Sequence, residues 1–422
     1  MNRRTAVAAI LALFLAAVPV APAGDEVWIT IDRGSAQYAL AGLAAAGRPG
    51  ALVIVDGSRP EALSTAARDS DVVVGRISQR DVELLPEILH AARRRCGGFV
   101  WHATRERAEK AAARANEPAP RDQDTAMSYS IDNGPVVQAM IARVRELSIR
   151  RMITSLGTFF TRRHNCPSGL QSATWIRNRW KNLAAARPGA TVEYFIHANT
   201  PQPSIILTIP GTTLPSEVVV LGAHQDSIAG SNCSTAKAPG EDDDASGVAN
   251  LTEVIRVAML LGYQPLRTVK FMAYAAEEVG LVGSSEIAEA YHDQSPPVNV
   301  VGVLQLDMTN YKGSSGDIYI YNDYTNPAQN AFVASLVDTY LPGLVKGTSA
   351  CGYGCSDHAS WHSQGYPASF PFEASFGQHN PWIHTNQDTI DKSGGTANHA
   401  LKFSKLAAAY LAETAKGGFG RE

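Results

Sequence analysis

Three apolar runs in the second half of the chain restrict its fold more than any other feature. "EVVVLGAH" ends at His224, "TVKFMAYAAEE" at Glu277 and Glu278, and "VNVVGVLQLD" at Asp307. Each run is continuous rather than alternating, as expected of strands buried on both faces of a largely parallel sheet with helices on either side. In such sheets ligands bind outside the carboxyl ends of the strands. The four residues are therefore predicted to converge at one edge from separate parts of the sequence. Two adjacent glutamates closing a buried run also imply a positive partner, because burying either without one costs several kcal/mol.

Two more segments supply candidates. In "PGEDDDASGVANLTEVIRVAML" the acids Glu241 to Asp244 precede a helical pattern with apolar residues at Val248, Leu251, Ile255 and Ala258. Asp244 suits an N-cap, and acids complement a helix start, but four in a row exceed what capping requires. Composition does not choose among Asp242, Asp243 and Asp244. His384 lies in the polar loop "NPWIHTNQDT". A single histidine is usually structural, but two histidines and several carboxylates at strand ends have no comparable shared structural explanation. Asp226, two residues after His224, is either a turn residue or the acid that holds the imidazole's second nitrogen. Imidazole and carboxylate ligands suit Zn²⁺ at sites that keep a position open for water.

The remainder of the chain sets the context. Arg3 and Arg4 precede an apolar run from Ala6 to Val18 and then Ala21-Pro22-Ala23, a secretory signal pattern over residues 1–23. That run is too short to span a bilayer, and no later one is long enough. Export to an extracellular or periplasmic space implies an oxidising compartment, so the five cysteines are candidates for disulfides, with at least one left over. With 37 basic against 40 acidic residues there is no basic excess to bind nucleic acid. The polar, proline-bearing "NEPAPRDQDT" from Asn116 to Thr125 reads as a linker. Before it, "VWITI", "ALVIV" and "DVVVG" alternate with alanine-rich helical stretches, which predicts a small α/β unit over residues 24–125. After it, residues 126–422 are long enough for a single α/β domain.

The segments "GAHQDS", "APGEDDDASG", "AYAAEEVGLVGS", "LQLDMTNYKGS", "CGYGCSDHASWHSQGYPASFPFE" and "NPWIHTNQDT", in this order, resemble the motifs of the secreted bacterial leucyl aminopeptidases, which are two-zinc exopeptidases. The resemblance runs from about Ser128 to the C-terminus and implies a mixed, largely parallel sheet flanked by helices. Carried over by position, it makes Asp243 the carboxylate shared by both metals. His224 and Asp307 then complete one zinc site, and Glu278 and His384 the other. Glu277 stays off the metals as general base, taking a proton from a zinc-bound water and delivering it to the departing amine. Adjacent residues pointing different ways make this division of labour feasible. The charges balance, since two zinc ions carry four positive charges against three ligand carboxylates and a hydroxide.

By the same resemblance Met308, Tyr353, Phe370, Phe372, Phe376 and Ile383 line an apolar pocket for a leucine-like residue with a free N-terminus. Cys351 pairs with Cys355 and shapes that pocket, Cys166 is the candidate partner of Cys233, and Cys96 is left over. Gln225 and Trp382 depart from residues common in relatives, which bears on substrate preference rather than on the ligands. The leading unit is expected to be a removable pro-region, a zymogen segment that assists folding or covers the site, or else a permanent accessory domain. The protein is expected to act as a monomer. Carboxypeptidases, single-zinc glutaminyl cyclases and metal-free binding modules of this general fold are the rivals. The filled ligand set argues against a binding module, and no cationic clamp for a C-terminal carboxylate is evident.

Overall fold

The structure, a computed structural model, describes residues 26–55, 71–93, 97–116 and 128–420. The predicted signal peptide, Cys96 and all of the predicted linker beyond Asn116 lie outside the described residues.

The main sheet has six strands in the order Ala368–Ser369, Asn299–Gln305, Leu214–His224, Arg267–Tyr274, Ser204–Ile209 and Thr191–Phe195. The first three pairings are parallel and the last two antiparallel. Along the central strand Val219 and Leu221 face one apolar layer while Val218 and Val220 face the other. That two-sided burial is why the run reads as continuous rather than alternating. The first layer is built with helices Glu146–Gly157, Pro167–Ala184, Ala245–Leu260, Pro327–Tyr340 and Ala400–Ala415. The second uses Val282–His292 and His358–Ser363. The predicted helix over Ser172 to Ala186 is the latter part of Pro167–Ala184. Asp244 caps the Ala245–Leu260 helix as expected, accepting from the Gly247 N–H at 2.8 Å.

The described residues between Glu26 and Asn116 form a separate layer in the order β-α-β-β-α-α-β-α, whose four strands, Glu26–Asp32, Leu52–Val55, Val72–Ser78 and Phe99–His102, pair only antiparallel. The three predicted strands of this unit are present. Its core does not close on itself: Val27, Ile29, Phe99 and Trp101 pack in one cluster with Ala276, Val279 and Val282 of the larger unit. The Trp101 N–H donates to the Gly280 carbonyl at 2.8 Å. Gly280 has φ 103°, and a Cβ there would come 2.6 Å from the Phe99 ring. Ion pairs ring this contact, from Glu83 to Arg163 and His164 and from Arg107 to Glu289 and Asp293. Two disulfides, Cys166–Cys233 and Cys351–Cys355, match the predicted pairings.

Candidate metal centre

The centre forms where three strands end side by side. His224 is the last residue of the central strand and lies opposite Tyr274, the last residue of its neighbour. A Cβ at Gly222 would lie 2.4 Å from the Tyr274 ring, so the ends approach closely because this position carries no side chain. Past Tyr274 and Gln305 the chain turns. Glu277, Glu278 and Asp307 therefore sit on loops just beyond the strands rather than at their final positions. Left-handed backbone at Ala276 (φ 55°), Met308 (φ 52°) and His384 (φ 55°) aims these loops. Each such non-glycine residue costs roughly 1–3 kcal/mol and persists only where its surroundings hold it.

Asp243 lies between the two histidines. Its Oδ1 is 3.0 Å from His224 Nε2 and its Oδ2 is 3.4 Å from His384 Nε2. Each histidine meets a second carboxylate: Asp307 Oδ1 at 3.5 Å from His224 Nε2, and Glu278 Oε2 at 2.8 Å from His384 Nε2. All five side chains are buried. Asp307 Oδ1 and Glu278 Oε1 accept no hydrogen bond, which is costly for buried carboxylate oxygens. Burial and the neighbouring charge of Asp243 push Glu278 up to about 7. Burial, reinforced by Glu278, Asp357 and Asp307, raises Glu277 well above the ordinary carboxylate range, with His224 opposing. Cations among these oxygens would relieve the repulsion, and the imidazole and carboxylate donors present fit zinc.

Among the described residues, two sets of buried ligand atoms lie mutually within 4.8 Å: His224 with Asp243 and Glu278, and His224 with Asp244 and Asp307. Asp244 is otherwise engaged. Its Oδ2 accepts from the His224 N–H at 3.0 Å, and its Oδ1 accepts from Gly247 at 2.8 Å and Met308 at 3.2 Å. Its carboxylate fastens the backbone of two ligand-bearing segments to the helix start. Glu277 makes none of the close contacts above, its Oε2 standing 4.0 Å from His224 Nε2.

Asp226 does something the sequence did not indicate. It stands 3.5 Å from His224 Nδ1, and its two oxygens accept the backbone N–H groups of Glu277 at 3.1 Å and Glu278 at 3.3 Å. It thus fixes the glutamate loop as well as facing the imidazole. Arg162, also missed, is fully buried and donates to the carbonyls of Gln225, Pro239 and Gly240. Beside Arg163 and His164 in a polar stretch it reads as one more surface cation, and its burial left no signal.

Met308, Tyr353, Phe370, Phe372, Phe376 and Ile383 do come together, in one apolar cluster with Tyr321 and the Cys351–Cys355 disulfide. The N-terminal unit reaches the same edge: the His90 ring lies 4.6 Å from that of His384, centre to centre. A cleft of about 380 Å³ lies between His90 and Arg93 on one side and Phe376, His379, Pro381 and Trp382 on the other.

Comparison with known proteins gives a consistent result. Residues 204–409 match the model of peptidase family M28. Leucine aminopeptidase 1 of Arthroderma otae is 36% identical over 303 residues, covering 68% of this chain and 79% of that protein. A probable aminopeptidase of Saccharomyces cerevisiae is 36% identical over 270 residues, 62% of this chain and 71% of that one. Among solved structures, the LapA aminopeptidase of Legionella pneumophila superposes with a TM-score of 0.75 at 27% identity, over 92% of this chain and 98% of LapA.

Proposed function

This chain belongs to peptidase family M28 and is a metallo-aminopeptidase, and from that premise we propose that it is a secreted two-zinc enzyme removing leucine-like N-terminal residues from peptides. In this reading His224 and Asp307 hold one zinc, His384 and Glu278 the other, and Asp243 is shared. The observation that carries it is the Asp243 carboxylate, which turns one oxygen toward each histidine while each histidine meets a second carboxylate of its own. Zinc bound there supplies Lewis acidity and lowers the pKa of water from about 16 toward about 7.

The chain's own groups do the rest. Glu277, buried beside His224, takes a proton from the attacking water and passes it to the departing amine. Asp226 holds the Glu277 and Glu278 N–H groups, so the base keeps its orientation during proton transfer. The cluster of Met308, Tyr353, Phe370, Phe372, Phe376 and Ile383 receives the apolar side chain of the first residue, with the Cys351–Cys355 disulfide shaping its wall. Names of relatives that specify leucine support this preference.

Residues 24–125 are proposed as a pro-region that covers the site and is removed. In support, the described part packs against the loop after Glu278 and brings His90 to His384. Two disulfides and the N-terminal signal pattern support export. No helix among the described residues is long and apolar enough to cross a membrane.

The test is metal analysis of the purified protein together with hydrolysis of leucine p-nitroanilide and its N-blocked analogue, with and without chelator. Two zinc ions per chain and chelator-sensitive activity on the unblocked amide alone are expected. Cleavage of the blocked amide alone would overturn the assignment.

A further inference from the structure

The segment after His384 folds back onto the turn that carries Asp243, and one buried side chain joins them. Asp388 is 1% exposed. Its Oδ2 accepts the Asp243 N–H at 3.0 Å, and its Oδ1 accepts the Asp242 N–H at 3.3 Å and Asn380 Nδ2 at 2.9 Å. Its backbone carbonyl accepts the Glu241 N–H at 3.1 Å, and the Ile390 N–H returns a bond to Glu241 Oε2 at 2.5 Å. Asn380 and Asp388 flank His384 on either side in sequence, so their hydrogen bond closes the loop that presents that histidine. Just ahead of the acid turn, the Arg162 guanidinium binds the Pro239 and Gly240 carbonyls.

Both Asp388 oxygens are engaged by N–H donors, so Asp388 is not itself a candidate ligand. What it controls is relative position. Asp243 must aim two oxygens at two histidines, and His384 sits in a left-handed conformation that needs external restraint. A carboxylate accepting N–H bonds makes the stronger, charge-assisted kind of hydrogen bond, and here one such group grips the Asp243 turn and the His384 loop together. We infer that Asp388 is a positioning residue that couples these two segments, so that metal affinity depends on a side chain that touches neither ion. The inference rests on the proposed roles of Asp243 and His384 as ligands.

The experiment is zinc binding to the full chain, measured by competition with a chromophoric chelator, alongside the melting temperature of the chelator-treated protein. Asp388→Asn keeps the shape but turns an amide NH₂ toward one of the N–H donors. It is expected to weaken zinc binding by about 10–100-fold, the usual effect of losing an outer hydrogen-bond partner of a metal site. Chelator-treated Asp388→Asn should melt within a few degrees of wild type. Asn380→Ala, which removes the bond that closes the loop together with the acceptor of the Trp382 N–H at 3.0 Å but leaves Asp388 on the Asp243 turn, should weaken zinc in the same direction but less. In both variants cobalt(II) substituted for zinc should give altered visible bands. Wild-type zinc affinity and cobalt spectra in Asp388→Asn would overturn the inference, as would a lower melting temperature with zinc binding unchanged. If Asp388→Asn does not fold, unchanged zinc affinity in Asn380→Ala overturns it. Failure of the wild-type chain to bind zinc would instead refute the reading of the site.

Discussion

Glu83→Gln tests the docking of the N-terminal unit. Arg163 of the larger unit is 1% exposed, its Nε and Nη1 find no acceptor, and its Nη2 donates to Glu83, which is 20% exposed. Glu83 also meets His164 Nε2 at 3.0 Å. Removing one partner of a buried ion pair costs about 3–5 kcal/mol. Glutamine retains an acceptor and the site is partly open, so the loss should approach that of one charge-assisted bond, about 2 kcal/mol. Because released Arg163 regains water, this loss falls wholly on the docked state. At 1.4 kcal/mol per factor of ten it amounts to roughly 30-fold in the docking constant.

The pH dependence has a definite sign. Burial acts to raise Glu83, but His164 and Arg163 outweigh it and hold the carboxyl below its ordinary value of 4.5. Its contribution to docking is therefore complete above pH 4.5 and lost as the pH falls below that through the docked value. The assay uses chains cut at a protease site engineered into the linker after Asn116. Co-elution of the N-terminal fragment, and recovery of leucine amide hydrolysis after dilution, report its release. Glu83→Gln should release the fragment more readily at pH 7 and show a flatter response below pH 4.5. Equal release by the two proteins at both pH values would refute the reasoning.

Other variants separate roles within the site. Glu277→Gln should keep both zinc ions while kcat falls by about 10²–10⁴ with KM little changed. Glu278→Gln should lose or loosen one zinc, and Asp243→Ala both; zinc retention by Glu278→Gln with zinc loss from Glu277→Gln would exchange the two assignments. The disulfides should differ in effect. Chain entropy assigns about 4 kcal/mol to Cys166–Cys233, with its separation of 67 residues, and about 2 kcal/mol to Cys351–Cys355, with its separation of 4. Denaturant melts of the paired serine variants should follow that order, while only the Cys351/Cys355 pair should raise KM for leucine amides. Gly280→Ala places a methyl against Phe99 at a φ of 103°, and should lower stability by about 2 kcal/mol in thermal or urea melts of the full chain.

The sequence by itself determined what depends on local order. Continuous apolar runs required a sheet covered on both faces, and the residues closing those runs, His224, Glu277, Glu278 and Asp307, were of types able to hold metal. The Asp244 cap followed from an acid placed at the start of a helical pattern. The antiparallel pairing of residues 26–116 was not legible, because strand direction depends on which edges meet and not on periodicity.

Only the tertiary structure decided which oxygens remain available once the backbone is satisfied. In the run Asp242-Asp243-Asp244, the Asn310 N–H takes Asp242 Oδ1 while Asp242 Oδ2 is buried with no donor, and the His224, Gly247 and Met308 N–H groups take Asp244. The Asp243 carboxylate is left facing the histidines. Asp226 binding the glutamate loop, Asp388 gripping the Asp243 turn and Arg162 lying beneath it were equally invisible. Each gains its role from N–H or carbonyl groups distant along the chain, and a donor's partner is set by where the folded backbone brings it rather than by the residues beside it in sequence.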